Sequence, residues 1–499
     1  MKPSQPSSFL AARGTRLVAA AATLALLAAC ADTQGIRPQA HLTDAAALGL
    51  PASQGQSLAP AADWWTALGD PQLDRLVAQA LAGNPNLRVA AARVAKARSA
   101  EVIAKSAYYP QVNGSLDLNR QRFSENYIYP APLGGSVQNL GTLQLNGGWE
   151  LDFFGKHEGA LDAAIGQIRA AEADAARVLL AANVVKAYVQ WARVNDQYQL
   201  AQRTLSQRQS MLQLVQDRVK AGLDNQLEVR QNETNRADTR TSIAALEQQQ
   251  FAARNALAAL LGQPRLADDV KPPQLSQFKT LTVPTELHAD WLARRADISA
   301  ARWRVEAAKG EVQVARAQFY PNINLAAFLG FQSLGFDNLI KGGSFQWGVG
   351  PAVRLPIFEA GKLRANLAAK SADVDAAIES YNAAVIDAMR ETADQAQAVQ
   401  SVARQQQEQA HALSAAEAAW DIAQQRYKAG LGTYLNVLSA ETAVLGQRRQ
   451  QVDLAAQAVS AQIGLTQAMG GGWQPTAEEA ALPAAQAVPD GAPSQTAAR

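Results

Sequence analysis

Two hydrophobic periods alternate along the chain. Over 184–219, Val184, Trp191, Tyr198, Leu205, Leu212 and Val219 recur every seven residues, with Ala187, Val194, Ala201 and Val215 three places after their partners. This heptad seam is the pattern of helices that lie side by side over many turns. A second seam holds Val399, Leu413, Trp420 and Tyr427 with Val402, Ala416 and Ala423, and is interrupted by Gln406 and Gln409. Alanine at so many partner positions lets helix backbones approach closely. The pattern predicts helix over about 157–221 and about 361–429, each on the order of 100 Å long at 1.5 Å per residue. Seams of this length fit either a wall built of helices or a coiled-coil scaffold.

Between the helical stretches the period drops to two. Leu143, Leu145, Trp149, Leu151 and Phe153 alternate with Gln144, Asn146, Glu150 and Asp152, as a strand with one apolar and one wet face requires. Val112, Leu116 and Leu118 alternate with polar residues, and so do Phe345, Trp347, Val349, Val353 and Leu355; Ile323, Leu325 and Phe331 give a weaker fourth case. Strands of about ten residues with this alternation match the wall of a transmembrane β-barrel, although a soluble half-buried sheet alternates too. Four strands cannot close a barrel, since single-chain membrane barrels start at about eight. An open edge in lipid would leave backbone groups unpaired. Several chains must therefore share one barrel, and three of them supply about twelve strands. The hairpin tips, about 120–139 and 334–343, are then expected outside the cell, with the helices projecting into the periplasm.

The chain is also duplicated. Leu87, Arg93, Val94, Ala97, Tyr109 and Pro110 recur in the same order and spacing as Ile298, Arg304, Val305, Ala308, Tyr320 and Pro321. Arg218-Val-Lys-Ala-Gly-Leu223, with Leu227, Val229, Glu233 and Thr234, recurs as Arg426-Tyr-Lys-Ala-Gly-Leu431, with Leu435, Val437, Glu441 and Thr442. The expected organisation is a signal segment 1–29, an extended segment 30–71 and a first repeat 72–261 with its hairpin at 111–153. A linker at 262–283, a second repeat 284–473 with its hairpin at 322–355, and a disordered tail 474–499 complete it. Each repeat reads as helix, hairpin, long helix, turn, long helix.

The ends and the composition narrow the function. Lys2, Arg13 and Arg16 precede the apolar run 17–29, which has the length of an export signal and is too short to cross a bilayer. Cys30, the only cysteine, follows Leu27-Ala28-Ala29, an arrangement that resembles a bacterial lipobox, whose cysteine becomes the acylated N-terminus. Ala31 stands where inner-membrane-retained relatives of such lipoproteins carry aspartate, which favours the outer membrane. One cysteine excludes an intramolecular disulfide framework and a multi-cysteine zinc site. The formal charge is +2, which gives no field for nucleic acid. His41, His157, His288 and His411 are scattered without metal-ligand spacing, and Gly361-Lys362 and Gly348-x-Gly350 lack a phosphate-cradling glycine pattern. The expectation is no catalysis, no metal and no cofactor.

Asp63-Trp64-Trp65, Gly69-Asp70-Pro71, Asn84-Pro-Asn-Leu87, the Tyr-Pro pairs before two strands, Lys-Ala-Gly-Leu in each repeat and Ala468-Met-Gly-Gly-Gly-Trp473 stand in one order along 60–474. In that order they resemble the TolC-like outer membrane factors, specifically the acylated NodT-type branch that serves drug efflux. The resemblance implies a mainly α chain with four strands, and a homotrimer that forms a twelve-stranded barrel and a periplasmic α-barrel. It implies a passive exit duct, lipid-anchored in the outer membrane, that works with a periplasmic adaptor protein and an inner-membrane transporter of the resistance-nodulation-division type. An exit channel for protein secretion shares the architecture, and a periplasmic structural coiled-coil lipoprotein is the alternative of another class.

By the same resemblance, the helix turns Gly222, Leu223, Asp224, Asn225 and Gly430, Leu431, Gly432, Thr433 dock the adaptor, and Leu435 closes the periplasmic gate. Asn436 and Ser439 stand where branches of the family carry aspartate, so an acidic throat is not expected. The plain alternatives are ordinary turns between helices and seam packing of Leu435. Cys30 is expected to be the first residue of the mature protein, with its thiol acylated. Mass spectrometry of the N-terminal peptide checks this, and an unmodified Cys30 or a chain starting elsewhere contradicts it.

Overall fold

The computed structural model describes residues 33, 35–43, 60–176, 180–281 and 294–472. Cys30, the apolar run before it, residues 282–283 of the expected linker, Trp473 and the tail 474–499 lie outside the described residues. The elements are α1 (Pro71–Gly83), α2 (Pro85–Ser106), β1 (Gln111–Arg122), β2 (Val137–Leu151), α3 (Lys156–Ala176), α4 (Leu180–Lys220) and α5 (Gln226–Leu260), followed by α6 (Ala296–Ala317), β3 (Asn322–Leu334), β4 (Phe345–Arg354), α7 (Lys362–Lys428) and α8 (Tyr434–Ala468). The fold is mainly α with one antiparallel sheet. α7 is a single helix of 67 residues, about 100 Å at 1.5 Å per residue. The chain forms two compact units, and each draws on both sequence repeats: Arg93–Ala171 and Ala301–Tyr381 belong to one, Glu172–Ala300 and Asn382 onward to the other.

The first unit holds the sheet, in the order β1-β2-β3-β4 with every pair antiparallel. The register aligns like with like across the strands. Leu116, Leu143, Phe331 and Phe345 form one row, and Leu145, Leu329 and Trp347 the next on the same face. The opposite face carries Ser115, Gln144 and Gln346, and Asn113 with Asn146. The apolar face is not covered by the chain: Trp347 is 68% exposed and Val349 63%. A patch of this kind in water is an aggregation hazard.

Below the sheet, Asp152 caps α3, its carboxylate accepting from the backbone N–H groups of Lys156, His157 and Glu158 at 2.7, 2.8 and 3.0 Å. α3 and α6 then meet backbone to backbone. A Cβ at Gly310 would lie 2.6 Å from Ala163 N and from Gly159 O, and one at Gly166 would lie 2.8 Å from Ala307 N. Val305 and Val312 of α6, with Phe319 just beyond it, pack on Leu367, Val374 and Ile378 of α7. Ile36, Ala40 and Leu42 of the N-terminal segment lie against this cluster, held by the Asp375 carboxylate, which accepts from the N–H groups of Gln39 and Ala40 at 2.7 and 2.8 Å.

The core of the second unit is built from Leu68, Leu73 and Val77 with Val184, Tyr188 and Trp191 of α4, Leu257 of α5 and Ile463 of α8. Asp70 caps α1 and Pro71 opens it, a position where the missing N–H leaves no bond unmade. The stretch 262–281 is part of this core. Leu266, Leu275 and Leu281 are buried, and Asn195 donates to Pro273 O while Leu275 N donates to Asp196. The glutamines that interrupt the second seam are accommodated too: buried Gln409 donates to the backbone and side-chain oxygens of Gln447, both at 2.8 Å, and Gln406 donates to Leu454 O at 3.4 Å. Trp191 is fully buried, whereas Trp420 is half-buried.

Because α3 and α6 touch through glycine, Gly310→Val is expected to destabilise the protein by about 1–3 kcal/mol through overpacking. Gly446→Ala on α8, where a Cβ meets nothing within 4 Å, is expected to stabilise by up to about 1 kcal/mol. Thermal unfolding of the detergent-purified protein compares the two.

Candidate functional site

The helix pairs α4/α5 and α7/α8 each end in a turn of the same design. Gly222 and Gly430 adopt φ of 72° and 75°, the left-handed C′ conformation that glycine enters without a Cβ clash. Leu223 N donates to Arg218 O at 2.9 Å and Gly222 N to Val219 O at 3.0 Å; Leu431 N donates to Arg426 O at 2.8 Å and Gly430 N to Tyr427 O at 3.0 Å. Both are Schellman caps, which satisfy carbonyls that the helix end leaves open. Nothing lies within 4 Å of a Cβ placed at either glycine.

The turns differ in how the next helix begins. Asn225 forms a capping box with Glu228, its side chain accepting from Leu227 N at 2.7 Å while Glu228 accepts from Asn225 N at 3.2 Å. Thr433 makes no such side-chain cap. Asp224 is bound twice: the Arg218 guanidinium donates to it at 2.8 and 3.3 Å, and the Tyr427 hydroxyl donates to the same carboxylate. The guanidinium also lies over the Tyr427 ring, 4.5 Å from its centroid. Tyr427 in turn meets Tyr434, and both join Leu212, Val215, Val229 and Val437 in one buried cluster. A second tie lies elsewhere on the same helices, where Arg208 pairs with Glu441 at 3.2 Å and donates to Asn235 O and Thr239 Oγ1 at 2.6 and 2.8 Å.

Electrostatics follow the contacts. Burial pushes the Asp224 carboxyl up, but the hydrogen bonds from Arg218 and Tyr427 outweigh it and hold the group below the usual carboxylate range. The Tyr427 phenol is pushed well above its ordinary value, first by burial and then by its hydrogen bond to Asp224 and that group's charge, so it stays a donor.

The expected gate residues share the exposed side of α8. Leu435, Asn436 and Ser439 are exposed, while Tyr434 and Val437 beside them are buried. Leu435 therefore does not pack in its own chain's seam. Leu227, its repeat partner, is exposed to a similar degree, 60% against 64%. Leu223 and Leu431 at the turns are also exposed. The sequence alone did not single out Arg218, Tyr427, Arg208 or Glu441 as a tie between the two helix pairs. The available signal was a contrast within the repeat: Asp224 corresponds to Gly432, and Tyr427 to Val219, so the bonded pair occupies two positions where otherwise matching motifs diverge. Among the described residues, no three His, Cys, Asp or Glu side chains gather as a metal site.

A sheet with an apolar face and long helices ending in paired turns define a channel subunit of the TolC-like kind. The model of the outer membrane efflux protein family matches residues 76–263 and 287–471. The fusaric acid resistance protein FusA of Burkholderia cepacia is 39% identical over 376 residues, 73% of this chain and 71% of that protein. The multidrug resistance outer membrane protein MdtQ of Escherichia coli O157:H7 is 32% identical over 425 residues, covering 83% and 89%. The crystal structure of the outer membrane protein VceC from Vibrio cholerae superposes with a TM-score of 0.77 at 33% identity, covering 83% of this chain and all of that one. The chain belongs to the outer membrane efflux protein family, whose members are channels of the outer membrane and not enzymes.

Asp224→Asn leaves the largely buried Arg218 guanidinium without its counter-charge, and is expected to weaken the turn by about 1–3 kcal/mol. Faster amide hydrogen exchange confined to 218–228 and 426–436 is the readout. The Asp224 carboxyl is depressed in the folded state, so its contribution is complete above the unfolded value of about 3.9 and disappears as pH falls through the lower folded value. Protection at the turns, corrected for intrinsic rate, is expected to be unchanged between about pH 7 and 5.

Proposed function

We propose that three copies of this chain form a passive exit duct of an efflux assembly. The observation that supports it best is the four-stranded sheet, whose apolar face and two outer edges are left unsatisfied within one chain. Pairing β4 of one copy with β1 of the next, three times, makes a closed twelve-stranded barrel. Its apolar face then meets lipid and its polar face lines the pore. Acylated Cys30 adds a second anchor at the outer membrane. The helices extend into the periplasm, where an inner-membrane transporter of the resistance-nodulation-division type and its adaptor deliver cargo. The duct supplies no energy. The names of FusA and MdtQ, fusaric acid resistance and multidrug resistance, support small organic molecules as that cargo.

The turns Gly222–Asn225 and Gly430–Thr433 are the adaptor-docking surface in this reading. Exposed Leu223 and Leu431 offer apolar anchors, and the Schellman caps present them on rigid backbone. The gate is a ring of three Leu435 side chains, which closes by contact and dewetting. Asn436 and Ser439 line it without charge, so selectivity for cations at this end is weak. The bond between Asp224 and Tyr427 holds the two helix pairs of one copy together at the closed tip.

Leu435→Ser replaces the apolar plug by a wettable one and is expected to raise single-channel conductance in planar bilayers, and to sensitise cells to large antibiotics entering from outside. Leu227→Ser, in the other helix pair, is expected to do less. Equal conductance of wild-type and Leu435→Ser trimers of confirmed integrity, by native mass spectrometry, rules the gate out.

A further inference from the structure

Where the sheet meets the helices, the first unit contains a cavity of about 570 Å3, walled by the connections β2–α3, α6–β3 and β4–α7. Its size falls in the range of small-molecule sites. Two features of its wall point to a ligand. Phe154 and Tyr320 stack with ring centroids 4.8 Å apart and planes 9° from parallel, and the two residues remain 40% and 45% exposed. Phe319, the neighbour of Tyr320, is by contrast buried in the α6–α7 cluster. An open stack is a platform for another flat ring.

The second feature is charge. Glu150 is already engaged, accepting from Lys156 Nζ and Asn322 Nδ2, both at 2.7 Å. Asp152 is occupied by the N–H groups that open α3. Arg354 and Lys362 have no ion pair among the described residues, and Glu359 is the single wall carboxylate left to offset them. Arg354 stands opposite Asn322 in the register, on the same polar face as Glu150 and Gln346.

We propose that this cavity is a cargo-contact site on the duct wall that takes a small planar aromatic anion, with its ring on the Phe154–Tyr320 stack and its acid group on Arg354. The proposal rests on the exit-duct reading, which puts the polar face inside the barrel. A conducting site has to release what it holds, and one stack plus one exposed ion pair supply a millimolar affinity of that kind.

The test uses 2-naphthoate and the detergent-purified full chain, with protein-free micelles as blank, read by saturation-transfer NMR and calorimetry. Wild type is expected to bind saturably, and cyclohexanecarboxylate, of equal charge without a flat ring, about tenfold more weakly. Tyr320→Leu and Arg354→Gln are each expected to weaken 2-naphthoate about fivefold, whereas Tyr320→Phe and Arg354→Lys retain it within about twofold. The two conservative variants separate loss of the site from loss of the fold. No binding above the blank, or binding unchanged in Arg354→Gln and Tyr320→Leu, overturns the site. Planar-bilayer conductance of the same preparations reports on the duct reading separately: a conducting protein that ignores 2-naphthoate keeps the duct and loses the site. A protein that binds 2-naphthoate through these residues yet carries no current loses the duct setting of the proposal.

Discussion

A backbone N–H or C=O at the edge of a sheet finds no partner in hydrocarbon, and each one left open is unfavourable by several kcal/mol. In this chain that constraint falls on β1 and β4, of 12 and 10 residues, which are the two outer strands of the only sheet among the described residues. The register removes any choice about which face meets lipid. Leu116, Leu143, Phe331 and Phe345 stand in one row while Ser115, Gln144 and Gln346 share the other face, and a slip of one residue would exchange the faces. In the exit-duct reading, edge closure and face polarity are met together by copies of the same chain, β4 of one pairing with β1 of the next.

The helical part obeys a different rule. A wall of helices without large cores depends on short distances between axes, and short distances require small side chains at the contact. Gly159, Gly166 and Gly310 meet this demand between α3 and α6, where even one methyl group would overlap backbone atoms. Polar residues inside the seams are not defects under this rule, since thin layers leave backbone carbonyls within reach. Buried Gln409 uses one, and Asn195 another. The cost of burying an amide is offset when its hydrogen bonds are made.

This difference explains what could be read from the sequence. The strands and the long helices were legible because each repeats a simple period over many residues, and the turns because Lys-Ala-Gly-Leu occurs twice at equivalent places. The role of 262–281 was not legible, because Leu266, Leu275 and Leu281 follow neither period, and this stretch is positioned by Asn195, Asp196 and Gln462 from distant parts of the chain. The subdivision of the helices before the first hairpin was marked by Asn84-Pro85, whose buried asparagine caps α2 and binds Leu260 O, but its partner on α5 is again remote. At the candidate site, the glycine turns followed from local sequence, whereas the Arg218–Asp224–Tyr427 group joins residues about 200 positions apart and needed the tertiary structure.

Duplication with divergence accounts for that group. Two equivalent helix pairs would meet at their turns with equal chemistry, and nothing would favour one arrangement of the pairs over another. Asp224 in one turn where the matching repeat position holds glycine, and Tyr427 in the other pair where it holds valine, introduce a directed bond between the pairs at the turns. Arg218 has its counterpart in Arg426, yet only Arg218 has a carboxylate within its own turn; Arg426 reaches no further than Leu431 O at 3.4 Å. The unequal pairs can then serve unequal purposes: one capped rigidly by Asn225 and Glu228, the other opening on Gly432 and Thr433 without a side-chain cap. A turn with fewer local bonds is the one that opens at lower free energy, and it is the turn that leads directly into Leu435.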